Sequence, residues 1–264
     1  MFISGFTVKW YKKDQHFLID KRVLNRIIDF GGLNRSDIVL EIGAGYGNLT
    51  GAIAEKAGKV IAIEADPDLA ASLDRWDNVE VITGDARKIE FPNFNKVISN
   101  LPYSISSPVT FKLLRYKFEL GILMYQYEFA KRMVAKAGSE DYSRLSIAVQ
   151  YYADAELLEV VPESAFSAPP KVRSAIVRLV PRPPLFKVSD QDFFMRFITA
   201  AFSQRRKKLR NAILNNAVSL GIKKSDVERL PREKLDVRAE TLSSQELAEL
   251  SDILASGKMK IPIT

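Results

Sequence analysis

Short apolar runs alternate with amphipathic stretches through the first two-thirds of the chain. The apolar runs are rich in Val and Ile and predict strands at residues 38–42, 60–64, 79–83, 96–99, 120–125, 157–161 and 175–180. The stretches between them predict helices at residues 49–57, 67–73, 108–116 and 128–137. Alternating strands and helices favour a parallel sheet covered on both faces, and the last two runs favour a closing antiparallel pair. The predicted fold class is α/β and Rossmann-like.

A proline-rich segment separates this pattern from a different one. The run Pro-Arg-Pro-Pro at residues 181–184 is typical of a linker. Beyond it, helical periodicity without strand patterns predicts helices at residues 193–202, 206–218 and 244–254. The sequence therefore predicts an α/β domain at residues 1–184 and a small all-helical domain at residues 185–264.

Composition excludes several kinds of chemistry. The chain has 264 residues, no cysteine and one histidine, His16. This excludes disulfides, thiolate zinc sites, iron–sulfur clusters, cysteine nucleophiles and Ser-His-Asp triads, and no metal site is predicted. Any chemistry must use carboxylates, amides, hydroxyls, lysines or a bound cofactor. Because neither a signal-peptide pattern nor a membrane-length apolar run is present, we expect a cytoplasmic protein with no membrane partner.

The formal net charge of +7 is unevenly placed. From Lys187 to the end, 15 basic residues stand against 10 acidic residues. A basic C-terminal part on a nearly neutral body fits a polyanionic partner, most simply nucleic acid. It fits equally a solvated basic surface that aids solubility, so charge alone leaves both interpretations open.

A glycine-rich loop follows the first predicted strand, where residues 41–47 read Glu-Ile-Gly-Ala-Gly-Tyr-Gly. Gly43 and Gly45 allow a sharp turn and the close approach of a ligand. Glu64 ends the second strand and can accept hydrogen bonds from both ribose hydroxyls of an adenosine, while Asp85 follows the third and can accept from an adenine amino group. This acidic setting suits a cationic sulfonium better than a pyrophosphate. We therefore predict S-adenosylmethionine as the cofactor; the alternative is a plain turn whose carboxylates cap helices.

The run Asn100-Leu101-Pro102-Tyr103 follows the fourth predicted strand. The side-chain oxygen of Asn100 and the carbonyl of Leu101 can accept both hydrogens of a planar amino group, which returns electron density to its nitrogen. Tyr103 can stack on a base, and Pro102 fixes the turn between these two roles. With the glycine loop, this run predicts an amino-group methyltransferase. The structural alternative is a turn with Tyr103 packed in the core.

These segments resemble the ribosomal RNA adenine dimethyltransferase family that modifies the small subunit. Residues 14–18 (Asp-Gln-His-Phe-Leu) are similar to its N-terminal signature, and residues 165–172 (Ala-Phe-Ser-Ala-Pro-Pro-Lys-Val) resemble its late Phe-x-Pro-x-Pro-Lys-Val segment. Residues 202–211 (Phe-Ser-Gln-Arg-Arg-Lys-Lys-Leu-Arg-Asn) are similar to the opening of its C-terminal domain. The chain departs from the pattern at Ala168, where a proline is usual, and at Arg173, where an acidic residue is usual.

The resemblance implies a class I methyltransferase domain followed by a small helical domain. His16, Leu18 and Asn100 would line the cofactor pocket with the glycine loop and its carboxylates. Phe166 would grip a flipped base opposite Tyr103. The RNA backbone would be contacted by Arg205, Arg206, Lys207, Lys208 and Arg210. Without the resemblance, a single histidine beside apolar residues is more simply a packed ring.

The implied activity is dimethylation of two adjacent adenosines near the 3′ end of small-subunit ribosomal RNA. The partner would be an immature small ribosomal subunit, and the enzyme would act as a monomer. One alternative is methylation of large-subunit RNA, as in antibiotic-resistance methyltransferases. Another is a non-catalytic ribosome assembly factor, which the intact Glu41, Glu64 and Asn100 disfavour. DNA and protein amino-group methyltransferases are less similar, because they usually carry a proline in place of Leu101.

Overall fold

The computed structural model describes residues 16–256, in which one seven-stranded sheet has the order β3-β2-β1-β4-β5-β7-β6. The strands are β1 (Ile38–Ile42), β2 (Lys59–Glu64), β3 (Val79–Thr83), β4 (Lys96–Asn100), β5 (Leu120–Gln126), β6 (Ala153–Val161) and β7 (Ser174–Pro181). The pairs formed among β1 to β5 are parallel, and β7 runs antiparallel to β5. The predicted α/β class, with a mainly parallel sheet, is confirmed.

The central strands are buried on both faces, which explains their continuous apolar sequences. In β1 and β2 every residue after the first is buried, whereas β3 at the edge is only partly covered. The two late strands are neighbours, but β7 also pairs with β5 and therefore lies inside the sheet. Its residues Ser174 to Val177 are all buried, and the strands on both sides of β7 supply partners for its buried backbone groups.

One helix precedes β1, and four more follow the strands β1, β2, β4 and β5. These are α1 (Lys21–Gly31), α2 (Asn48–Ala54), α3 (Pro67–Ala71), α4 (Ser106–Leu113) and α5 (Tyr127–Val134). Helix α1 is absent from the predicted helices. It begins where Asp20 accepts a hydrogen bond from the backbone N–H of Arg22 (2.8 Å) and ends at Gly32 in the left-handed conformation. Its buried face packs with α2 in the core of the sheet unit.

The chain divides into two compact units. The first comprises the described residues up to Ala130 and Asp154–Pro181, and it holds the sheet. The second comprises Lys131–Ala153 and the described residues from Arg182 onward. Residues 131–153 include α6 (Arg144–Tyr152) and fall within the α/β domain predicted at residues 1–184. In the structure they group with the C-terminal helices instead. The rings of Tyr151, Phe186 and Phe194 pack together and hold this segment in the second unit.

After residue 182 the described chain is helical. Its helices are α7 (Gln191–Ala201), α8 (Leu209–Asn215), α9 (Ala217–Leu220), α10 (Lys224–Val227), α11 (Arg232–Leu235) and α12 (Ser244–Ala255). The single helix predicted at residues 206–218 is wrong, because residues 202–206 form a turn and Asn216 separates α8 from α9. The side chain of Asn216 donates to the carbonyl of Ala212 (2.8 Å) and thereby competes with helical backbone bonding.

A buried ion pair joins the start of β4 to the turn before β1. The ammonium of Lys96 lies 3.0 Å from the carboxylate of Asp37 and donates to the carbonyls of Gly31 (3.2 Å) and Gly32 (2.9 Å). Asp37 also accepts from the backbone N–H of Asn34 (2.7 Å). Burial alone would raise the pKa of Asp37, but these hydrogen bonds hold it below its usual value. Asp37 is therefore charged, and its charge is fully partnered.

Candidate active site

A cavity opens at the carboxyl ends of β1, β2 and β4, all within the sheet unit. The strand order reverses between β1 and β4, and such a switch point is where parallel α/β sheets bind ligands. The cavity together with the open space at its mouth amounts to about 900 Å³. The predicted site residues that line it are His16, Leu18, Gly43, Gly45, Glu64, Asn100, Leu101 and Tyr103.

The glycine loop forms the floor of this cavity and needs its glycines. Gly43, Gly45 and Gly47 all have positive φ angles, of 78°, 57° and 80°. A Cβ on Gly43 would lie 2.8 Å from the ring of Pro102, and one on Gly45 would lie 2.8 Å from the ring of Phe17. Any other residue at Gly43 or Gly45 would be strained by the positive φ angle and would lack space for its Cβ.

Glu64 fastens the loop to the end of β2. One carboxylate oxygen accepts from the backbone N–H of Gly45 (2.8 Å), and the other accepts from that of Asp66 (2.9 Å). A carboxylate has about four acceptor positions, so both oxygens retain capacity for a ligand. Glu64 can therefore hold the loop and accept two further hydrogen bonds in the cavity.

Glu41 is a second carboxylate on the cavity wall, and its surroundings differ. It is 2% exposed, and its Oε2 has no hydrogen-bond partner among the described residues. Burial raises the pKa of Glu41 to about 8; the Thr50 hydroxyl opposes this shift, and the nearby charge of Glu64 adds to it. The two carboxylates of the cavity therefore differ. Glu64 accepts hydrogen bonds from two backbone N–H groups, whereas Oε2 of Glu41 accepts none from the described residues.

Asn100 ends β4 and projects into the cavity. Its Nδ2 donates to the backbone carbonyl of His16 (3.1 Å). Because a carbonyl can only accept, this contact fixes the orientation of the amide and turns its oxygen away from His16. The preceding residue, Ser99, is buried and donates to the carbonyl of Ile42 (2.6 Å), which ties β4 to the glycine loop. Asn100 and the glycine loop thereby line the same cavity.

Tyr103 begins a short 3₁₀ turn directly after Pro102. Its hydroxyl is hydrogen-bonded to the hydroxyl of Ser174, at the start of β7 (2.6 Å). Its ring lies 5.5 Å from that of His16, with 33° between the two planes. Leu101 is buried and donates its N–H to the carbonyl of Met124 (3.2 Å). The motif is therefore anchored at its leucine and at the tyrosine hydroxyl.

Residues 16–19 close one side of the cavity and are held by the late segment 165–168. Nδ1 of His16 lies 2.7 Å from the carbonyl of Ala168 and must donate to it. Ser167 donates its N–H to the carbonyl of Phe17 (2.9 Å), and Asn48 donates its side-chain amide to the carbonyl of Leu18 (2.9 Å). The residues before His16, which begin the predicted signature, lie outside the described chain. Phe17, Tyr46 and Asn48 also line the cavity and were missed by the sequence prediction, although they flank its motifs.

Two predicted site residues are placed differently. Asp85 does not line the cavity, although Gly84 and Ala86 do; its carboxylate pairs with the guanidinium of Arg87 (2.7 Å), whose hydrogen bonds lower the pKa of Asp85. Phe166 is 2% exposed and packs in the core beside Leu18, with which it forms a β-bridge. Phe166 is not among the residues that line the cavity.

The predicted basic run lies in the second unit, mainly in a turn rather than a helix. The guanidinium of Arg205 binds the carbonyl of Glu140 and the carboxylate of Glu240, and Lys208 pairs with Asp236 (3.0 Å). Arg206 and Lys207 are exposed and form no ion pair with described residues. Arg210 is half-buried on α8. The run therefore contains both structural and solvent-facing cations.

The sheet order and the strand-end cavity define a class I methyltransferase fold. The sequence profile of the ribosomal RNA adenine dimethylase family matches residues 9–254, and the chain belongs to that family. It is 55% identical to the probable ribosomal RNA small subunit methyltransferase A of Methanosarcina barkeri, over 98% of this chain and 92% of the relative. No described helix is long and apolar enough to cross a membrane.

Two solved structures share the fold over 89% of the chain. A dimethyladenosine transferase from Plasmodium falciparum is 32% identical, with a TM-score of 0.75 and 96% of its own length covered. The 23S rRNA methyltransferase ErmE is 26% identical, with a TM-score of 0.65 and 99% of its length covered. Of these two, the dimethyladenosine transferase is the more similar in both sequence and fold.

Proposed function

We propose that this protein uses S-adenosylmethionine to dimethylate two adjacent adenosines near the 3′ end of small-subunit ribosomal RNA. The observation that carries the proposal is one cavity that brings together the glycine loop, the Glu64 carboxylate and the Asn100 amide. The relative from M. barkeri, named as a small-subunit enzyme and 55% identical, supports this substrate. The proposed partner is an immature small ribosomal subunit, bound by a monomer.

The residues present fit S-adenosylmethionine. Gly43 and Gly45 leave room where any Cβ would collide, and Glu64 offers acceptor capacity for ribose hydroxyls. When bound, this cofactor supplies a methyl group activated by a sulfonium centre. Gly84 and Ala86 line the part of the cavity where an adenine ring would lie. The carboxylate of Asp85 would reach that ring only after giving up its hydrogen bonds with Arg87.

Asn100 and Tyr103 are proposed to hold the target adenine. The oxygen of Asn100 and the carbonyl of Leu101 would accept the two amino hydrogens and so raise the electron density on the nitrogen. Tyr103 would stack on the base, a contact that contributes about 1–3 kcal/mol. The only imidazole, His16, uses Nδ1 for the carbonyl of Ala168. No general base is required, because the alkylated ammonium is acidic enough to lose its proton to water.

Methyl transfer from labelled S-adenosylmethionine would test the substrate directly. Unmethylated small subunits, large subunits, naked ribosomal RNA and DNA would be compared, with products mapped by nucleoside mass spectrometry. We expect dimethyladenosine at two adjacent positions of small-subunit RNA. Label on large-subunit RNA would instead favour the activity named for ErmE. Absence of label with cofactor bound would favour an assembly factor without catalysis.

Arg206 and Lys207 are proposed to contact the RNA backbone. Replacing both with glutamine is expected to weaken subunit binding and to lower the slope of log affinity against log salt by about one per lost phosphate contact. Lys208→Gln is the matched control, since its ammonium is already paired with Asp236. Binding measured across a salt series checks this. A larger effect of the control variant, or an unchanged slope in the double variant, would contradict the assignment.

A further inference from the structure

Glu41 is a carboxyl group that the proposed methyl transfer does not use. It lies on the cavity wall at β1, almost completely buried, and its Oε2 is without a partner among the described residues. An unpaired buried carboxylate is unfavourable, whereas the neutral acid is tolerated more easily. The raised pKa of about 8 follows from this burial and from the neighbouring Glu64.

The groups around Glu41 offer no compensating charge within the described chain. β2 contributes Glu64, whose negative charge disfavours a second carboxylate. α2 contributes Thr50, whose hydroxyl lowers the pKa of Glu41 but carries no charge. β4 ends in the uncharged Asn100, which also lines the cavity. His16 lines the cavity as well, with Nδ1 committed to the carbonyl of Ala168. No lysine or arginine of the described chain lines the cavity, which leaves a cationic ligand as the source of positive charge to test for Glu41.

We propose that Glu41 is protonated in the empty cavity, releases its proton to solvent when a cationic ligand enters, and so distinguishes the sulfonium cofactor from its neutral thioether product. This inference rests on the proposed function, because it takes S-adenosylmethionine as the ligand. The exchange balances as one carboxylic acid giving one carboxylate and one proton in the buffer. When the positive charge has left the cavity, the carboxylate takes a proton back and the product is bound less tightly.

Calorimetric titration from pH 6 to pH 8 measures this linkage. Wild-type protein would be titrated with S-adenosylmethionine and with S-adenosylhomocysteine, in buffers of different ionisation enthalpy. Both ligands carry the same amino-acid end, so its own titration cancels in the comparison. We expect S-adenosylmethionine to release close to one more proton at pH 7 than the thioether does. Its affinity should rise relative to the thioether by up to about tenfold for each pH unit.

Glu41→Gln keeps the shape of the side chain and removes its titration. We expect it to abolish the extra proton release and to flatten the relative pH dependence, while both ligands still bind. Glu55→Gln, an exposed carboxylate after α2, is the control and should behave as wild type. Infrared difference spectra should show loss of a protonated carboxyl band on cofactor binding in wild type and none in Glu41→Gln.

The outcomes separate the two proposals. If wild type binds the cofactor with no extra proton release, or if Glu41→Gln retains that release, the role of Glu41 is overturned and the proposed function stands. If Glu41→Gln weakens the binding of both ligands equally, and wild type releases the same number of protons with each ligand, Glu41 has only a structural role. If wild type binds neither ligand, the proposed function itself fails.

Discussion

Replacing Asn100 with alanine is expected to reduce methyl transfer by about 100- to 1000-fold while leaving cofactor affinity nearly unchanged. The reason is that its side-chain oxygen, turned away from His16, is the acceptor proposed for the target amino group. Removing one such preorganised group typically costs about 3–4 kcal/mol in the transition state. Single-turnover rates, together with the dissociation constant for S-adenosylmethionine, measure the two effects separately.

The alanine variant also loses the hydrogen bond to the carbonyl of His16, so a matched control is needed. Asn48→Ala supplies it, because Asn48 also lines the cavity and anchors the same segment through the carbonyl of Leu18 (2.9 Å). We expect this control to change the rate by less than about tenfold, the effect of one ordinary hydrogen bond. Equal losses in both variants, or loss of cofactor binding with Asn100→Ala, would refute a direct role for Asn100.

Replacing Lys96 with methionine is expected to lower the free energy of unfolding by about 3–5 kcal/mol near neutral pH. Lys96 is the partner of Asp37, and both side chains are largely buried, at 11% and 2% exposure. The variant leaves the Asp37 carboxylate charged and without its cation. The difference should narrow as the pH falls towards 4, because a protonated Asp37 no longer needs that cation. Denaturant unfolding at several pH values measures this.

Lys59→Met is the matched control for Lys96. Lys59 also begins a parallel strand, β2, and pairs with Glu80 at 2.6 Å, but both side chains are 47% exposed. An exposed pair contributes about 0–1 kcal/mol, so the control should unfold almost as the wild type does. A similar loss in both variants would mean that strand propensity, rather than the buried charge, determines the effect.

The strands of the sheet could be predicted because a strand that is buried on both faces has a continuous apolar sequence. β1 and β3 have the predicted bounds, since each apolar run ends at polar or glycine residues. α1 was missed although its buried Val23, Leu24, Ile27 and Ile28 recur at helical spacing, so the sequence does carry its signal. The helix predicted over residues 206–218 was wrong because hydrophobic periodicity does not reveal that the side chain of Asn216 competes for the backbone carbonyl of Ala212.

The cavity residues could be predicted where a backbone constraint defines them and not where a side-chain partner does. Gly43, Gly45 and Asn100 are placed by the ends of β1 and β4, which the sequence locates well. Asp85 depends on a competitor two residues away, Arg87, whose hydrogen bonds occupy it. Phe166 depends on how the late segment meets Leu18, a contact that no local pattern encodes.

The fastening of residues 16–19 to residues 165–168 has a consequence for biosynthesis. His16 and its acceptor on Ala168 are 152 positions apart, and the hydrogen bonds of Phe17 and Ile19 span similar lengths. Contacts between such distant parts of a chain form only after the intervening loop has been closed. A nascent chain emerging from the ribosome as far as β5 would carry the glycine loop and Asn100, but one wall of its cavity would still lack an anchor. The anchored cavity is therefore complete only after the residues that precede β7 have been synthesised.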